Sequence, residues 1–218
     1  MQKKIIISSV IAIISLGGAV LWLTQPTPAP TPPPAQQPTG SQLAIIRGKQ
    51  DAPVTITVYE DLLCDDCARA HREILPRIIK DYVDTGKVQL HYKLLGTFGP
   101  ESLPASNAAY CAHEQGKFFN FVDAGFAAKQ QATNSSPFTT LGLTSIARTA
   151  GVEISRWTHC LDRKPYSEQI TAHKQEVLAT GGYGTPHFII NGKGYNGAPP
   201  YDIFVPVITA ALAEKGVK

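Results

Sequence analysis

The 218-residue chain lacks most of what would commit it to nucleic acid, metal or a repeat architecture. Its formal net charge is only +3, and no basic cluster stands out, so the phosphate-neutralising term that dominates nucleic-acid binding has no source. No internal repeat is present, which removes solenoids and arrays. Cysteines number four, and the one Cys-x-x-Cys is joined by no second Cys-x-x-Cys and no His-x-x-x-His. Half of a zinc site is the competing reading of that pair, and it lacks further ligands. No cysteine follows the apolar N-terminal run, as lipoprotein processing would need, and no Ala-x-Ala cleavage site follows it either.

What is there begins with that apolar run. Lys3 and Lys4 precede Ile5 to Leu23, 19 uncharged residues, close to the length of a bilayer-crossing helix. The lysines should stay in the cytoplasm and the rest of the chain should be exported. Residues 1–24 are therefore expected to be an uncleaved membrane anchor, with a removed signal peptide as the alternative. Gly17-Gly18-Ala19 offers only a poor cleavage site. Residues 25–41 carry seven prolines among Thr, Ala and Gln. Such a linker builds no core, and at about 3.1 Å per residue it spans roughly 50 Å from the membrane. Residues 42–218 suffice for one domain with a sizeable core. All four cysteines fall on the exported side, where disulfides persist. Their even number favours two pairs: Cys64 with Cys67 by proximity, leaving Cys111 with Cys160.

The motif Cys64-Asp65-Asp66-Cys67 carries the chemistry. A strand-like run, Val54–Tyr59, precedes it, and an amphipathic helical pattern follows, with weakly polar or apolar residues at 67, 68, 70, 71, 74, 75, 78, 79 and 82. Two thiols one helical turn apart can close a small disulfide ring or open to a dithiol. The first sits where free N–H groups and the positive helix end favour a thiolate. Cys64 is thus the candidate nucleophile and Cys67 the resolving thiol. Asp65 and Asp66 oppose the thiolate by roughly 0.7–1.4 kcal/mol each at about 6 Å and high effective dielectric, which would make a milder oxidant. The plainer reading is that both aspartates complement the helix N-terminus and point into water.

Further along, Pro76 should kink the helix, and Val88–Leu94 alternates as a second strand. A helical stretch follows over about 102–180, its pieces starting near Pro104, Lys117, Phe138, Glu153 and Tyr166. Thr185–Ile190 returns to strand, Asn191–Gly194 turns, Gly194-Tyr195 starts a short paired strand, and a last helix runs from about Pro200 to Ala213. The expected order is β–α–β, an all-α insertion, then β–β–α.

Cys64-Asp-Asp-Cys67 at the head of a proline-kinked helix, together with Gly184-Thr-Pro-His-Phe-Ile-Ile-Asn-Gly192, resembles the DsbA-like branch of the thioredoxin superfamily. Asp61, three residues before the first cysteine, matches the branch too. The resemblance covers nearly everything from about Leu43 onward. It implies an α/β thioredoxin fold with an inserted all-α domain, and a cis bond at Thr185–Pro186 facing the cysteines. A cis proline there would exclude metal from the dithiol and leave the Thr185 backbone free to pair with a substrate peptide. It also implies a monomeric protein thiol–disulfide oxidoreductase acting on thiols of exported proteins, with a membrane quinone-linked redox partner. No organic cofactor is implied, because the dithiol itself does the chemistry. A disulfide reductase or isomerase is the rival among enzymes, although isomerases of the superfamily dimerise through an extra domain for which the proline-rich stretch leaves no room. A metal carrier or peptide-holding chaperone is the rival from another class; it would retain its activity in a Cys64→Ala variant or bind metal stoichiometrically.

Other positions are open at this stage. Glu60 or Asp61 is either a proton relay to Cys67 or a solvated strand end. Some relatives place an acid where this chain has Val58. His71 is either a helix-face residue or a charge acting on the thiols. His187 should face away from the cysteines by strand alternation. Phe118, Phe119, Phe121 and Phe126 should fill the core of the insert. A Cys111–Cys160 bridge closing about 50 residues would add roughly 4 kcal/mol by constraining the unfolded chain; the sharper alternative is a second redox pair serving Cys64.

Overall fold

The computed structural model describes residues 43–133 and 135–217. The expected anchor and proline-rich linker lie outside the described residues. Among those described, no helix is long and apolar enough to cross a membrane.

Strand β2 (Val54–Glu60) occupies the centre of a five-stranded sheet because its side chains are apolar in alternation and most are covered. It pairs in parallel with β3 (Val88–Leu94), from Val54 opposite Val88 to Glu60 opposite Leu94. Parallel neighbours need a crossover. Helix α1 (Asp65–Glu73), helix α2 (Leu75–Ile78) and a π-helical turn (Ile79–Val83) supply it. The break between α1 and α2 falls at Ile74, just ahead of Pro76 at the start of α2, where a proline's missing N–H costs least.

The sheet order is β1-β3-β2-β4-β5. Strand β1 (Ile45–Arg47), absent from the expected order, lies antiparallel to β3, with Ile45 opposite Tyr92. Three residues carry too little alternation to be read as a strand; they pair because β3 otherwise presents a free edge. Strand β4 (His187–Ile190) runs antiparallel to β2 and to β5 (Lys193–Asn196).

Between β3 and β4 lie α3 (Ser102–His113), α4 (Phe118–Gln131), α5 (Thr140–Thr149), α6 (Ile154–Arg163) and α7 (Ser167–Ala179). Phe118, Phe121 and Phe126 are buried there, while Phe119 is half-buried against the same core. Trp157 is buried with its indole N–H donating to Ala108 O at 2.9 Å, as a buried indole requires. The Tyr110 hydroxyl donates to Leu43 O at 3.2 Å and accepts from Leu94 N–H at 3.0 Å, fastening α3 to the end of β3. On the other side, Glu176 of α7 accepts from Tyr59 and Lys93 at 2.5 Å each, and both charged side chains are largely buried. Helix α8 (Tyr201–Glu214) packs on β4, with Phe204 against Phe188 at 4.7 Å between ring centroids.

Candidate active site

Cys64 is the N-cap of α1. Its Sγ accepts from Cys67 N–H at 3.3 Å, and its thiol donates to Thr185 O at 3.3 Å. Cys67 is one turn inside the helix with no exposure, whereas Cys64 retains 4 %. Both are free thiols, and Cys64 is the one with any solvent contact.

Their environments split them. The hydrogen bond from the Cys67 thiol lowers the Cys64 pKa most; burial opposes it, and the Thr185 hydroxyl and the N–H groups of Cys67 and Asp66 add to the lowering, leaving it at about 7. Burial pushes the Cys67 thiol well up, helped by its donation to Cys64 and by the negative field of Glu60. Only one thiolate forms near neutrality, and it forms on the outer sulfur.

Thr185–Pro186 is a cis peptide bond; Pro186, like any proline, has no N–H, and Thr185 O accepts from the Cys64 thiol. The Thr185 hydroxyl is buried and makes no well-formed hydrogen bond in the dithiol. It lies near enough to both sulfurs to favour their thiolates. His187 fixes the loop from behind. Its ring lies 2.9 Å from Thr180 Oγ1 and 3.0 Å from Asn196 Oδ1, on the face turned toward Tyr59. Burial lowers its pKa. Gly194 has to lack a side chain here, because a Cβ would stand 2.1 Å from Thr180 O and 2.9 Å from the His187 ring.

The acids near the motif have other roles than a solvated strand end. Glu60 and Asp61 are both fully buried. Asp61 accepts from Leu63 N–H and Thr97 N–H at 3.0 Å each, Phe98 N–H at 3.3 Å and Ser102 Oγ at 2.5 Å. It ties the loop before Cys64 to the loop after β3. Glu60 accepts from the Tyr92 hydroxyl through Oε2 and leaves Oε1 buried without a partner. His71 bridges from it to the insert: Nδ1 lies 3.7 Å from Glu60 Oε2, and Nε2 lies 2.7 Å from Asp123 Oδ1 on α4. Neither link was legible in the sequence, since no spacing rule joins residues 11 and 52 positions apart.

Burial alone would lower the His71 pKa, but the hydrogen bond to Asp123 and the neighbouring Glu60 outweigh it and raise it to about 9. A histidine raised in the folded state stabilises fully below its unfolded value of about 6.5 and loses that contribution as pH rises through the folded value. His71→Gln is therefore expected to lower unfolding free energy more at pH 6 than at pH 9.5. Urea unfolding at both pH values checks this, and an equal loss at both would refute the charged bridge.

Asp65 is 95 % exposed and pairs with Lys129 at 2.9 Å; Asp66 pairs with Arg69 at the same distance. Arg69 also donates to Ala198 O at 2.5 Å. Cys111 and Cys160 join α3 to α6 as a disulfide with Cα atoms 5.7 Å apart. Among the described residues no group of three or more His, Cys, Asp or Glu is gathered where a metal ion could be held.

A dithiol split in acidity, set at a helix N-terminus and faced by the Thr185 carbonyl just before the cis proline, defines a thiol–disulfide oxidoreductase of thioredoxin fold with a helical insert. The family model described as thioredoxin matches residues 41–210, and the chain belongs to that family. A probable disulfide bond formation protein D of Bacillus cereus is 26 % identical over 168 residues, covering 76 % of this chain and 77 % of that protein. A putative protein-disulfide oxidoreductase of Rickettsia bellii is 26 % identical over 150 residues, 68 % of this chain and 57 % of its own length. Among solved structures, oxidised BdbD from Bacillus subtilis superposes with a TM-score of 0.68 at 25 % identity, covering 77 % of this chain and 92 % of that one. Chlamydia trachomatis DsbA gives 0.71 at 22 %, covering 85 % and 100 %, a likeness of fold.

Proposed function

We propose that the protein oxidises cysteine pairs in polypeptides folding outside the cytoplasm, held at the membrane by residues 1–24 on the 25–41 linker and reoxidised by a quinone-linked membrane partner. The carrying observation is the placement of the two sulfurs: Cys64 caps α1 with its thiol on Thr185 O and keeps some exposure, while Cys67 one turn on is fully buried. A substrate thiolate attacks Cys64 Sγ of the Cys64–Cys67 disulfide, forming a mixed disulfide and releasing Cys67 as the leaving group. The second substrate thiolate then attacks the substrate sulfur of the mixed disulfide and expels Cys64. The substrate loses two electrons and gains a disulfide; the protein gains both electrons as a dithiol. A Cys64 thiolate that forms near neutrality leaves more readily than an unperturbed thiol, which speeds the second step.

Thr185 and Pro186 form the substrate-facing wall in this reading. Asp65 and Asp66 still disfavour the thiolate, but each stands beside a cation, which offsets much of its field at Cys64. The redox tuning assigned to them is accordingly small.

Equilibration of the full-length chain with glutathione is expected to give a potential at or above about −180 mV, the range of oxidising members of the superfamily. A value near −270 mV, in the thioredoxin range, would reassign the protein as a reductase.

A further inference from the structure

Residues 197–200, Gly-Ala-Pro-Pro, join β5 to α8. The two prolines have no N–H with which to fix this segment, and Gly197, at φ +78°, sits where glycine bends without strain. So few donors of its own leave the segment to be held from outside. Gly197 N–H donates to Pro186 O at 2.8 Å, which joins the segment to the loop carrying Thr185 and Pro186. Ala198 is buried, and its carbonyl accepts from Arg69 Nη1 at 2.5 Å.

Arg69 lies on α1, three residues after Asp66 of the motif and therefore on the same helix face. Its Nη2 donates to Asp66 Oδ1 at 2.9 Å. One planar guanidinium, with its donors in a fixed fork, thus spans from the motif to the β5–α8 segment. Followed round, the bonds make a circuit. Asp66 holds Arg69, Arg69 holds Ala198, Gly197 holds Pro186, and Thr185 O takes the Cys64 thiol at 3.3 Å. The circuit starts and ends at the beginning of α1. As an ion pair, Asp66 with Arg69 contributes little, because the two side chains are 61 % and 41 % exposed. As an orienting contact it fixes one rotamer of a long side chain, and the bond that side chain makes to Ala198 O is charge-assisted, a kind about twice as strong as a neutral one.

We propose that Arg69 is a positioning residue for disulfide exchange: oriented by Asp66, it pins Ala198 and, through Gly197, the loop whose Thr185 carbonyl sits on the Cys64 sulfur. Asp66 then serves the reaction through the direction it gives Arg69 more than through its field at Cys64. The inference rests on the oxidoreductase reading above.

The test oxidises one synthetic dithiol peptide with the disulfide form of the full-length chain. Arg69→Lys keeps the charge and loses the fork. It is expected to lower kcat/KM about 5–10-fold, inside the ~100-fold that a 1 Å misplacement can cost. In the reduced form it should move the midpoint of Cys64 alkylation from about 7 up to about 7.5, as the Thr185 contact loosens. Asp66→Ala should lower kcat/KM to the same extent, and Asp66→Asn, whose amide oxygen still accepts from Arg69, should recover most of that loss. Arg69→Lys combined with Asp66→Ala should cost no more than either alone, since both break one circuit. A parental rate and midpoint in Arg69→Lys overturn the proposal, as does a lower Tm with both of these unchanged, which would leave Arg69 merely structural. An Asp66→Asn variant no better than Asp66→Ala, or an Asp66→Ala variant faster than the parent, returns Asp66 to a role of charge and overturns it too. Both side chains are at the surface, and circular dichroism reports the fold; should Arg69→Lys not fold, the two Asp66 variants decide. A parent chain that oxidises neither the peptide nor glutathione would instead overturn the redox reading itself.

Discussion

Cys67→Ala is expected to halt the full-length chain as a covalent adduct: the Cys64 thiolate attacks a substrate disulfide, one substrate sulfur leaves as a thiolate, and no second thiol of the protein is left to resolve the mixed disulfide. Cys64→Ala should fall to below about 0.1 % of parental exchange, the scale of loss that follows removal of a covalent nucleophile. The contrast follows from burial. Cys67 has no exposed surface and lies inside the first turn, with Asp61 N–H donating to its sulfur at 3.4 Å, so it resolves adducts but does not start them. Acidity adds a second handle. Iodoacetamide should alkylate one sulfur of the dithiol, with a rate that rises through a midpoint near pH 7, matching Cys64. In Cys64→Ala the remaining thiol should stay unreactive until well above pH 9, because burial holds it protonated. Mass spectrometry of the trapped adduct and the alkylation profile check both halves. A Cys64→Ala variant that still forms adducts would transfer the nucleophile's role to Cys67.

The second large effect concerns stability. Replacing Cys111 and Cys160 together with Ser should lower unfolding free energy by about 4 kcal/mol, since the bridge closes 49 residues of chain. For a domain of this size that is a fall of roughly 8–16 °C in Tm. Both sulfurs are 1 % exposed, so two hydroxyls would also be buried, which adds to the loss. Exchange with glutathione at 25 °C should be unchanged. The bridge lies within the insert, between α3 and α6. Differential scanning calorimetry beside a glutathione assay separates the two roles: a variant of parental stability with impaired exchange would make this pair a redox partner of Cys64.

How much of this was legible depended on whether the signal was local. Val54–Glu60 and Val88–Leu94 could be read because alternation of apolar and polar residues is a property of the segment itself. The helix interruption was legible from Pro76, whose ring and missing N–H act within one turn. Cys64 at the N-cap followed from the step from strand to helix at the motif. Ile45–Arg47 was not legible, since its only reason to be a strand is the edge of β3, more than 40 residues on. The acids show the same limit. Asp61 looks in sequence like the end of a strand, yet its ligands Thr97, Phe98 and Ser102 come from 36 to 41 residues away. Glu60 and His71 become a pair only once α1 has packed over β2.

The Lys93–Glu176 pair has a consequence for how this architecture can be cut and rejoined. Lys93 belongs to the central sheet and Glu176 to the last helix of the insert, and both are largely shielded from water. A version of the chain with residues 102–179 replaced by a short turn would leave an ammonium group in the sheet with no counter-charge, and breaking such a pair on one side costs about 3–5 kcal/mol. Tyr59 would lose its acceptor in the same excision. The helical layer is thus no detachable cassette: a minimal version of this enzyme would have to change Lys93 before the helices could go.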